Sequence, residues 1–172
     1  MKKKRHPFSG AFRILSTLLL TGLVLFCLPL TLPRLFGYHI YSVISGSMEP
    51  AIPVGSLLYI EETGPEELQE GEVIAFYGAR DSAAIITHRV LENRVVMGEL
   101  ITKGDANQQA DMNPIPYGNV IGRVTRAIPK AGKAAELFTS REGKLLAAAL
   151  IGVAVLLQLL AALLENKSNE FK

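Results

Sequence analysis

Two long apolar segments, one near each end of the chain, dominate its hydrophobic pattern. Residues 14–32 carry no charge, and residues 145–164 are interrupted only by Gly152 and Gln158. A helix needs about 20 apolar residues to cross the roughly 30 Å hydrocarbon core of a bilayer. Both segments have that length, so the pattern predicts two transmembrane helices.

The residues before the first apolar segment are strongly basic. Residues 1–13 hold three lysines and two arginines, which predicts a cytoplasmic N-terminus because basic flanks are retained on that side. The competing interpretation is a cleaved secretory signal. The apolar run is long for such a signal, and residues 32–37 offer no small-x-small cleavage site. We therefore expect residues 14–32 to be a retained transmembrane anchor.

The topology of the remaining chain follows by alternation. Residues 33–142 are expected on the extracytoplasmic face, residues 145–164 to form the second transmembrane helix, and residues 165–172 to return to the cytoplasm. Basic residues lie on both sides of the second segment, so its flanks add little to this orientation. The chain is thus predicted to be a multi-pass protein of the cell membrane.

The central region has a different pattern, in which short apolar stretches alternate with glycine, proline and asparagine. Stretches with the composition of strands cover residues 56–60, 72–77, 83–90, 94–97, 100–102 and 119–128. A hairpin is predicted to turn at Glu92 and Asn93, and residues 136–141 to form a short helix before the second span. The fold class is therefore predicted to be mainly β, a compact antiparallel β domain flanked by two transmembrane α-helices.

Composition narrows the classes of function. The net charge of +2 is too small, and the basic residues too scattered, for nucleic-acid binding. The single cysteine, Cys27, lies inside the first apolar segment. It excludes an intrachain disulfide, a Cys–His zinc cluster and a cysteine nucleophile paired with a local base. We expect neither a metal nor a cofactor.

A Ser-Gly-Ser turn at residues 45–47 is the first candidate for chemistry. A small, flexible turn of this kind can expose a hydroxyl as a nucleophile and present backbone N–H groups to an oxyanion. Its position soon after the first apolar segment would keep the hydroxyl close to a bilayer surface. The residues alone leave Ser42, Ser45 and Ser47 as alternative nucleophiles.

The central region contains two histidines and one polar loop with two aspartates. His39 lies among tyrosines beside the anchor, where an interfacial role is expected. His88 is either a structural strand residue or a general base, since imidazole exchanges protons near neutral pH. Asp105 and Asp111 lie in a loop that is a solvated turn, a weak cation loop or the source of a carboxylate that orients His88. Their spacing lacks the alternating ligands of a calcium loop.

Four segments together resemble the type I signal peptidases of the endoplasmic-reticulum type, which also occur in archaea and Gram-positive bacteria. In the order of that family they are Ser45-Gly46-Ser47-Met48-Glu49-Pro50, Gly71-Glu72-Val73-Ile74-Ala75-Phe76, Thr87-His88-Arg89-Val90, and Lys103-Gly104-Asp105-Ala106-Asn107 with Asp111. The similarity spans residues 40 to about 130. It implies a membrane-bound serine endopeptidase that works without a cofactor.

The resemblance implies a role for each candidate residue. Ser47 takes the position of the nucleophile, and Ser45 Oγ with the Ser47 backbone N–H takes that of the oxyanion hole. His88 takes the position of the general base. Asp111 is expected to orient His88, and Asp105 to be a supporting carboxylate in the same loop.

Two alternatives to a Ser-His-Asp peptidase remain. The other branch of the superfamily uses a lysine, made neutral by burial, in place of the histidine. None of the three lysines in residues 37–142 follows the strand that carries His88, which disfavours that chemistry. The second alternative is a catalytically inactive membrane scaffold or accessory subunit of a secretion complex, which the loss of a triad residue would signal.

The resemblance also implies the partners. The substrates would be secretory precursor proteins, cleaved after small-x-small sites while their signal helix is still in the lipid bilayer. The secretion translocon is a further expected partner, and nucleic acid is not. Apolar residues near Ser47, among them Met48, Ile52, Val54 and Leu57, are expected to line shallow side-chain pockets, to touch lipid or to belong to the β core.

Overall fold

The structure is a computed structural model that describes residues 7–78 and 84–170. It divides into two compact units, one formed by the two ends of the chain and one formed by Leu32–Glu136, the β unit. Some expectations concern residues outside the described part. These are the basic residues 2–5, residue 83 at the start of a predicted strand, and residues 171–172 of the predicted tail.

The described residues form three α-helices, α1 (Pro7–Thr31), α2 (Ala131–Thr139) and α3 (Arg141–Glu170). Helices α1 and α3 pack on each other, and each contains a stretch long and apolar enough to cross a membrane. Their most deeply buried residues are small, as is typical of closely packed apolar helices. These residues are Ser9, Ser16, Ala154 and Ala161.

Both long helices begin before the predicted spans. Within the described residues, helix α1 covers Pro7–Thr31 and so includes seven residues ahead of residue 14. Ser140 separates α2 from α3 and caps α3, since its Oγ accepts a hydrogen bond from Gly143 N–H at 3.0 Å. Helix α3 therefore begins at Arg141 rather than at residue 145, and α2 replaces the helix predicted at 136–141.

The β unit is built around one antiparallel sheet of seven strands in the described part of the chain. The strands are β1 (Tyr38–Ser42), β2 (Leu57–Glu61), β3 (Val73–Tyr77), β4 (Ile85–Arg94), β5 (Glu99–Lys103), β6 (Ile115–Pro116) and β7 (Val120–Ile128). Their order across the sheet is β1-β2-β7-β3-β4-β5-β6. The prediction of a mainly β fold with two long apolar helices is confirmed.

The predicted turn at Glu92 and Asn93 is wrong. Both residues lie within β4, which continues to Arg94 and pairs with β5. The chain reverses instead at a 3-10 turn, Val95–Met97, followed by Gly98 with a φ of 67°. Glycine adopts this left-handed conformation at little steric cost. The glycine, rather than the polar pair before it, therefore sets the position of the turn.

The register of the central strands determines which residues lie side by side in the core. Ile74 belongs to one apolar cluster and its neighbour Ala75 to another, because successive strand residues point to opposite faces. Ile74 of β3 pairs with His88 of β4, and Val90 of β4 pairs with Thr102 of β5. His88 and Thr102 thus lie on adjacent strands, and both are buried, with exposed fractions of 8% and 0%.

Candidate active site

The Ser-Gly-Ser turn lies just after β1 and is held in place by the residue that follows it. Met48 is 2% exposed and belongs to an apolar core cluster. The Glu49 N–H donates a hydrogen bond to the Gly46 carbonyl at 3.0 Å, which closes the turn. Ser45 is exposed and Ser47 is partly exposed, and their hydroxyl oxygens lie 3.5 Å apart. The buried methionine therefore anchors a turn whose two hydroxyls are close together at the surface.

His88 is held between a ring and a carboxylate. Its ring meets Phe76 edge-on, with centroids 6.0 Å apart, and its Nδ1 lies 2.6 Å from Asp111 Oδ2. The same Oδ2 accepts a hydrogen bond from Thr102 Oγ1 at 2.5 Å. A carboxylate oxygen accepts hydrogen bonds, so in the neutral imidazole His88 Nδ1 donates to Oδ2 and Nε2 is the acceptor. The structure brings His88 and Asp111 into direct contact.

Asp105 lies in the same loop, residues 104–111, which we call the aspartate loop, but has a different partner. Its two carboxylate oxygens accept hydrogen bonds from Arg89 Nε at 2.8 Å and Nη2 at 2.6 Å. Arg89 Nη1 also donates to the Gly71 carbonyl at 2.7 Å. The hydrogen bonds from Arg89 hold the pKa of Asp105 below its ordinary value, because they favour the charged form. Asp105 is thus paired with the residue after His88 rather than with the imidazole.

The aspartate loop also contacts the Ser-Gly-Ser turn. The Ala106 N–H donates a hydrogen bond to the Ser47 carbonyl at 2.9 Å. A Cβ placed on Gly104 would lie 2.6 Å from that carbonyl oxygen and 3.0 Å from His88 Nε2. The carbonyl and the imidazole nitrogen therefore face the same small volume. Only glycine allows the backbone to approach both so closely.

Residues without a role assigned from the sequence also take part in this arrangement, among them Arg89, Gly104 and Thr102. In the sequence, Arg89 directly follows His88 and Gly104 directly precedes Asp105. This adjacency to two candidate residues is the signal by which they could have been found. Thr102 gave no comparable signal. Its hydroxyl reaches Asp111, nine positions away, only because the chain folds back after β5.

His39 lies apart from this arrangement. It is on β1, where its ring stacks on Tyr41 with centroids 6.3 Å apart, and its Nε2 lies 3.4 Å from Glu62 Oε1.

Among residues 7–78 and 84–170, no group of three or more His, Cys, Asp or Glu side chains is placed to hold a metal ion. The reactive groups that the structure gathers around His88 and the Ser-Gly-Ser turn are hydroxyls, an imidazole and carboxylates.

A pocket of about 240 Å³ opens beside the Ser-Gly-Ser turn. Met48, Ile52 and Ile85 contribute to its largely apolar lining. Of the other apolar residues near the turn, Leu57 is buried in the core and Val54 is half exposed. Ser45 and Ser47 line the same pocket, so a group bound there would lie next to both hydroxyls.

The chain is similar to signal peptidases from a bacterium and from fungi. It is 42% identical over 96 residues to Signal peptidase I W of Bacillus subtilis, a match that covers 54% of the chain and 50% of that protein. It is 31% identical over 137 residues to the Signal peptidase complex catalytic subunit SEC11 of Ogataea parapolymorpha, covering 67% of the chain and 77% of that subunit. The corresponding subunit of Pyrenophora tritici-repentis is 35% identical over 129 residues, covering 67% and 73%. No family model matches the chain.

Proposed function

This chain belongs to the type I signal peptidases of the endoplasmic-reticulum type, and from that premise we propose that it is a membrane-bound serine endopeptidase that removes signal peptides. Its substrates are secretory precursor proteins, cleaved after small-x-small sites. The observation that carries the proposal is the 2.6 Å hydrogen bond between His88 Nδ1 and Asp111 Oδ2. The other ring nitrogen, Nε2, lies on the side of Gly104 and the Ser47 backbone carbonyl, and in this proposal it takes the proton of the Ser47 hydroxyl.

In the proposed mechanism Ser47 is the nucleophile and His88 the general base. Ser47 Oγ attacks the carbonyl carbon of the scissile peptide bond while its proton passes to His88 Nε2. Asp111 stabilises the imidazolium through the bond to Nδ1. The imidazolium then protonates the leaving amine of the mature protein, and the signal peptide remains as an ester on Ser47. A water molecule then attacks the ester carbon while its proton passes to His88 Nε2. His88 returns this proton to Ser47 Oγ as the ester bond breaks, and the signal peptide leaves as a carboxylic acid.

Ser45 and the backbone of Ser47 form the oxyanion hole in this proposal. The tetrahedral intermediate places a negative oxygen beside Ser47 Oγ, which is 3.5 Å from Ser45 Oγ in the structure. Ser45 is exposed and can turn its hydroxyl toward that oxygen. One such donor typically contributes about 10²–10³ in rate. Asp105 supports the site indirectly, since its pairing with Arg89 ties the aspartate loop to β4.

The pocket beside the turn receives the small side chain that precedes the scissile bond. Met48 and Ile52 form part of its wall and also belong to the buried core cluster. Because a buried core side chain cannot move aside without loss of packing, the shape of this wall is fixed by the core.

The two long helices hold the β unit at the bilayer. Residues 1–13 lie in the cytoplasm, residues 14–32 and 145–164 cross the membrane, residues 33–142 are extracytoplasmic, and residues 165–172 return to the cytoplasm. The length and apolarity of the helices support this arrangement, as does the basic N-terminal segment. Precursors emerging from the translocon meet an anchored peptidase at high effective concentration.

The test is processing of a model precursor with a small-x-small site by the full chain in proteoliposomes. Ser47→Ala is expected to abolish cleavage without loss of expression or membrane insertion. The matched control is Ser56→Ala, which removes a hydroxyl bound to the Pro53 carbonyl at 2.6 Å, while the Ser56 N–H still reaches that carbonyl at 3.2 Å. Cleavage by Ser47→Ala at the wild-type rate would contradict the assignment. If the wild-type chain itself does not cleave the precursor, the alternative function of a catalytically inactive membrane scaffold is favoured.

A further inference from the structure

We propose that Thr102 is a positioning residue for the general base and acts through Asp111; this inference rests on the proposed function. Thr102 is on β5 and fully buried, with 0% exposure. Its Oγ1 donates to Asp111 Oδ2 at 2.5 Å, the oxygen that lies 2.6 Å from His88 Nδ1. Two donors therefore converge on a single carboxylate oxygen.

Thr102 holds Asp111 at two points. Besides the hydroxyl contact, its carbonyl accepts a hydrogen bond from the Asp111 N–H at 2.9 Å. Thr102 itself is fixed by the sheet, where it pairs with Val90, two residues beyond His88 on β4. A β-branched side chain has few χ1 choices. The distance from the carboxylate to the imidazole is thus set by strand register, although Asp111 lies in a loop.

The Thr102 hydroxyl also determines which way the carboxylate faces. The Asp111 side chain is 21% exposed, so water competes for its oxygens. The hydroxyl occupies one acceptor position of Oδ2 and leaves the other for His88 Nδ1–H. In this orientation Asp111 selects the tautomer whose Nε2 accepts the Ser47 proton. Without the hydroxyl, the carboxylate rotates toward water and His88 spends part of its time without its Nδ1 partner.

The experiment compares Thr102→Val, which keeps the shape and removes the hydroxyl, with Thr102→Ser, which keeps the hydroxyl. Steady-state cleavage of the model precursor is measured with the full chain in proteoliposomes. Thr102→Val is expected to lower kcat by about 10- to 100-fold with KM little changed, well short of the about 10⁴-fold loss that a wrong tautomer causes. Thr102→Ser is expected to recover most of that loss.

The matched control is Thr125→Val. Thr125 is on β7, and its hydroxyl donates to the Tyr59 carbonyl at 3.2 Å, so this variant removes a bonded threonine hydroxyl from the same sheet outside the site. Its kcat is expected to equal that of the wild type. Because Thr125 is exposed and Thr102 is buried, the Tm of both variants is measured as well. Loss of positioning lowers kcat in Thr102→Val at a temperature where that variant is still folded.

A spectroscopic measurement tests the same inference without cleavage. In the full chain labelled with ¹⁵N-histidine, the His88 Nδ1 proton gives a downfield resonance, identified by its loss in His88→Gln. Thr102→Val is expected to shift or broaden this resonance, and Thr102→Ser to retain it. Wild-type kcat in Thr102→Val, or a loss of kcat with an unchanged resonance, overturns the inference. An inactive wild-type chain counts against the proposed function, while the resonance still decides the role of Thr102.

Discussion

The two ends of the aspartate loop carry the same side chain in different surroundings. At one end Asp111 accepts hydrogen bonds from His88 and Thr102. At the other end both oxygens of Asp105 are taken up by the guanidinium of Arg89. A carboxylate bound twice by arginine has its charge neutralised and its oxygens occupied, so it is poorly placed to orient an imidazole. The partner, rather than the residue type or the loop, decides what each aspartate can do.

The Asp105 end contributes by holding the loop in place. It joins the loop to β4 through Arg89, and the next residue, Ala106, donates to the Ser47 carbonyl. This end therefore sets the distance between the Ser-Gly-Ser turn and β4, whereas the Asp111 end acts on the His88 ring. We therefore expect substitution of Asp111 mainly to lower the cleavage rate, and substitution of Asp105 mainly to lower the stability of the protein.

The largest expected effect comes from Asp111→Asn. The amide carries no negative charge, so it cannot stabilise the imidazolium that forms when His88 takes the Ser47 proton. We expect kcat to fall by about 10⁴-fold, measured as single-turnover cleavage of the model precursor. Asp105→Asn is the matched comparison and should lose far less. Equal losses in the two variants would show that the ends of the loop are not distinct.

An intermediate effect is expected from Gly104→Ala, at the start of the loop. The added Cβ would approach the Ser47 carbonyl and His88 Nε2, so one of them must shift. A displacement of about 1 Å can cost about 10²-fold in rate, and we expect a loss of kcat of that order. Gly118→Ala is the control, because a Cβ there meets no atom within 4 Å. Wild-type activity in Gly104→Ala would mean that the two atoms need not be so close.

The smallest effect on cleavage is expected from Asp105→Asn, whose main consequence is lower stability. The pair is partly buried, with side-chain exposures of 19% for Asp105 and 33% for Arg89. We expect Asp105→Asn to lower the free energy of unfolding by about 1–2 kcal/mol at neutral pH, which lies between the values for exposed and for buried ion pairs. The measurement is the Tm of the full chain in micelles, with thermal unfolding monitored by far-UV circular dichroism.

The pH dependence of that difference follows from the lowered pKa of Asp105. A carboxyl group whose pKa is depressed by folding stabilises the protein fully above its unfolded pKa of about 3.9, and this contribution is lost as the pH falls through the folded pKa. The Tm of the wild type should therefore exceed that of Asp105→Asn by a constant amount between roughly pH 5 and 8, and this difference should shrink below about pH 4. An advantage that grows in acid would contradict the assigned ion pair.

Much of the fold could be predicted from the sequence because its signals are local. A run of apolar residues predicts a long helix whatever lies elsewhere, and short strands bounded by glycine and proline predict a β domain. The hairpin between β4 and β5 was misplaced because Glu92 and Asn93 have turn-like side chains. The turn is decided by Gly98, whose backbone conformation other residues rarely adopt.

The sequence by itself determined the two apolar segments, the mainly β character of the region between them and the short list of groups able to do chemistry. Only the tertiary structure decided which groups touch, namely Asp111 with His88, Asp105 with Arg89, and Thr102 with Asp111. The physical reason is the short reach of a hydrogen bond, about 3 Å between heavy atoms. Whether two side chains come that close depends on strand register and on the path of the loop, which are set by packing across the whole sheet.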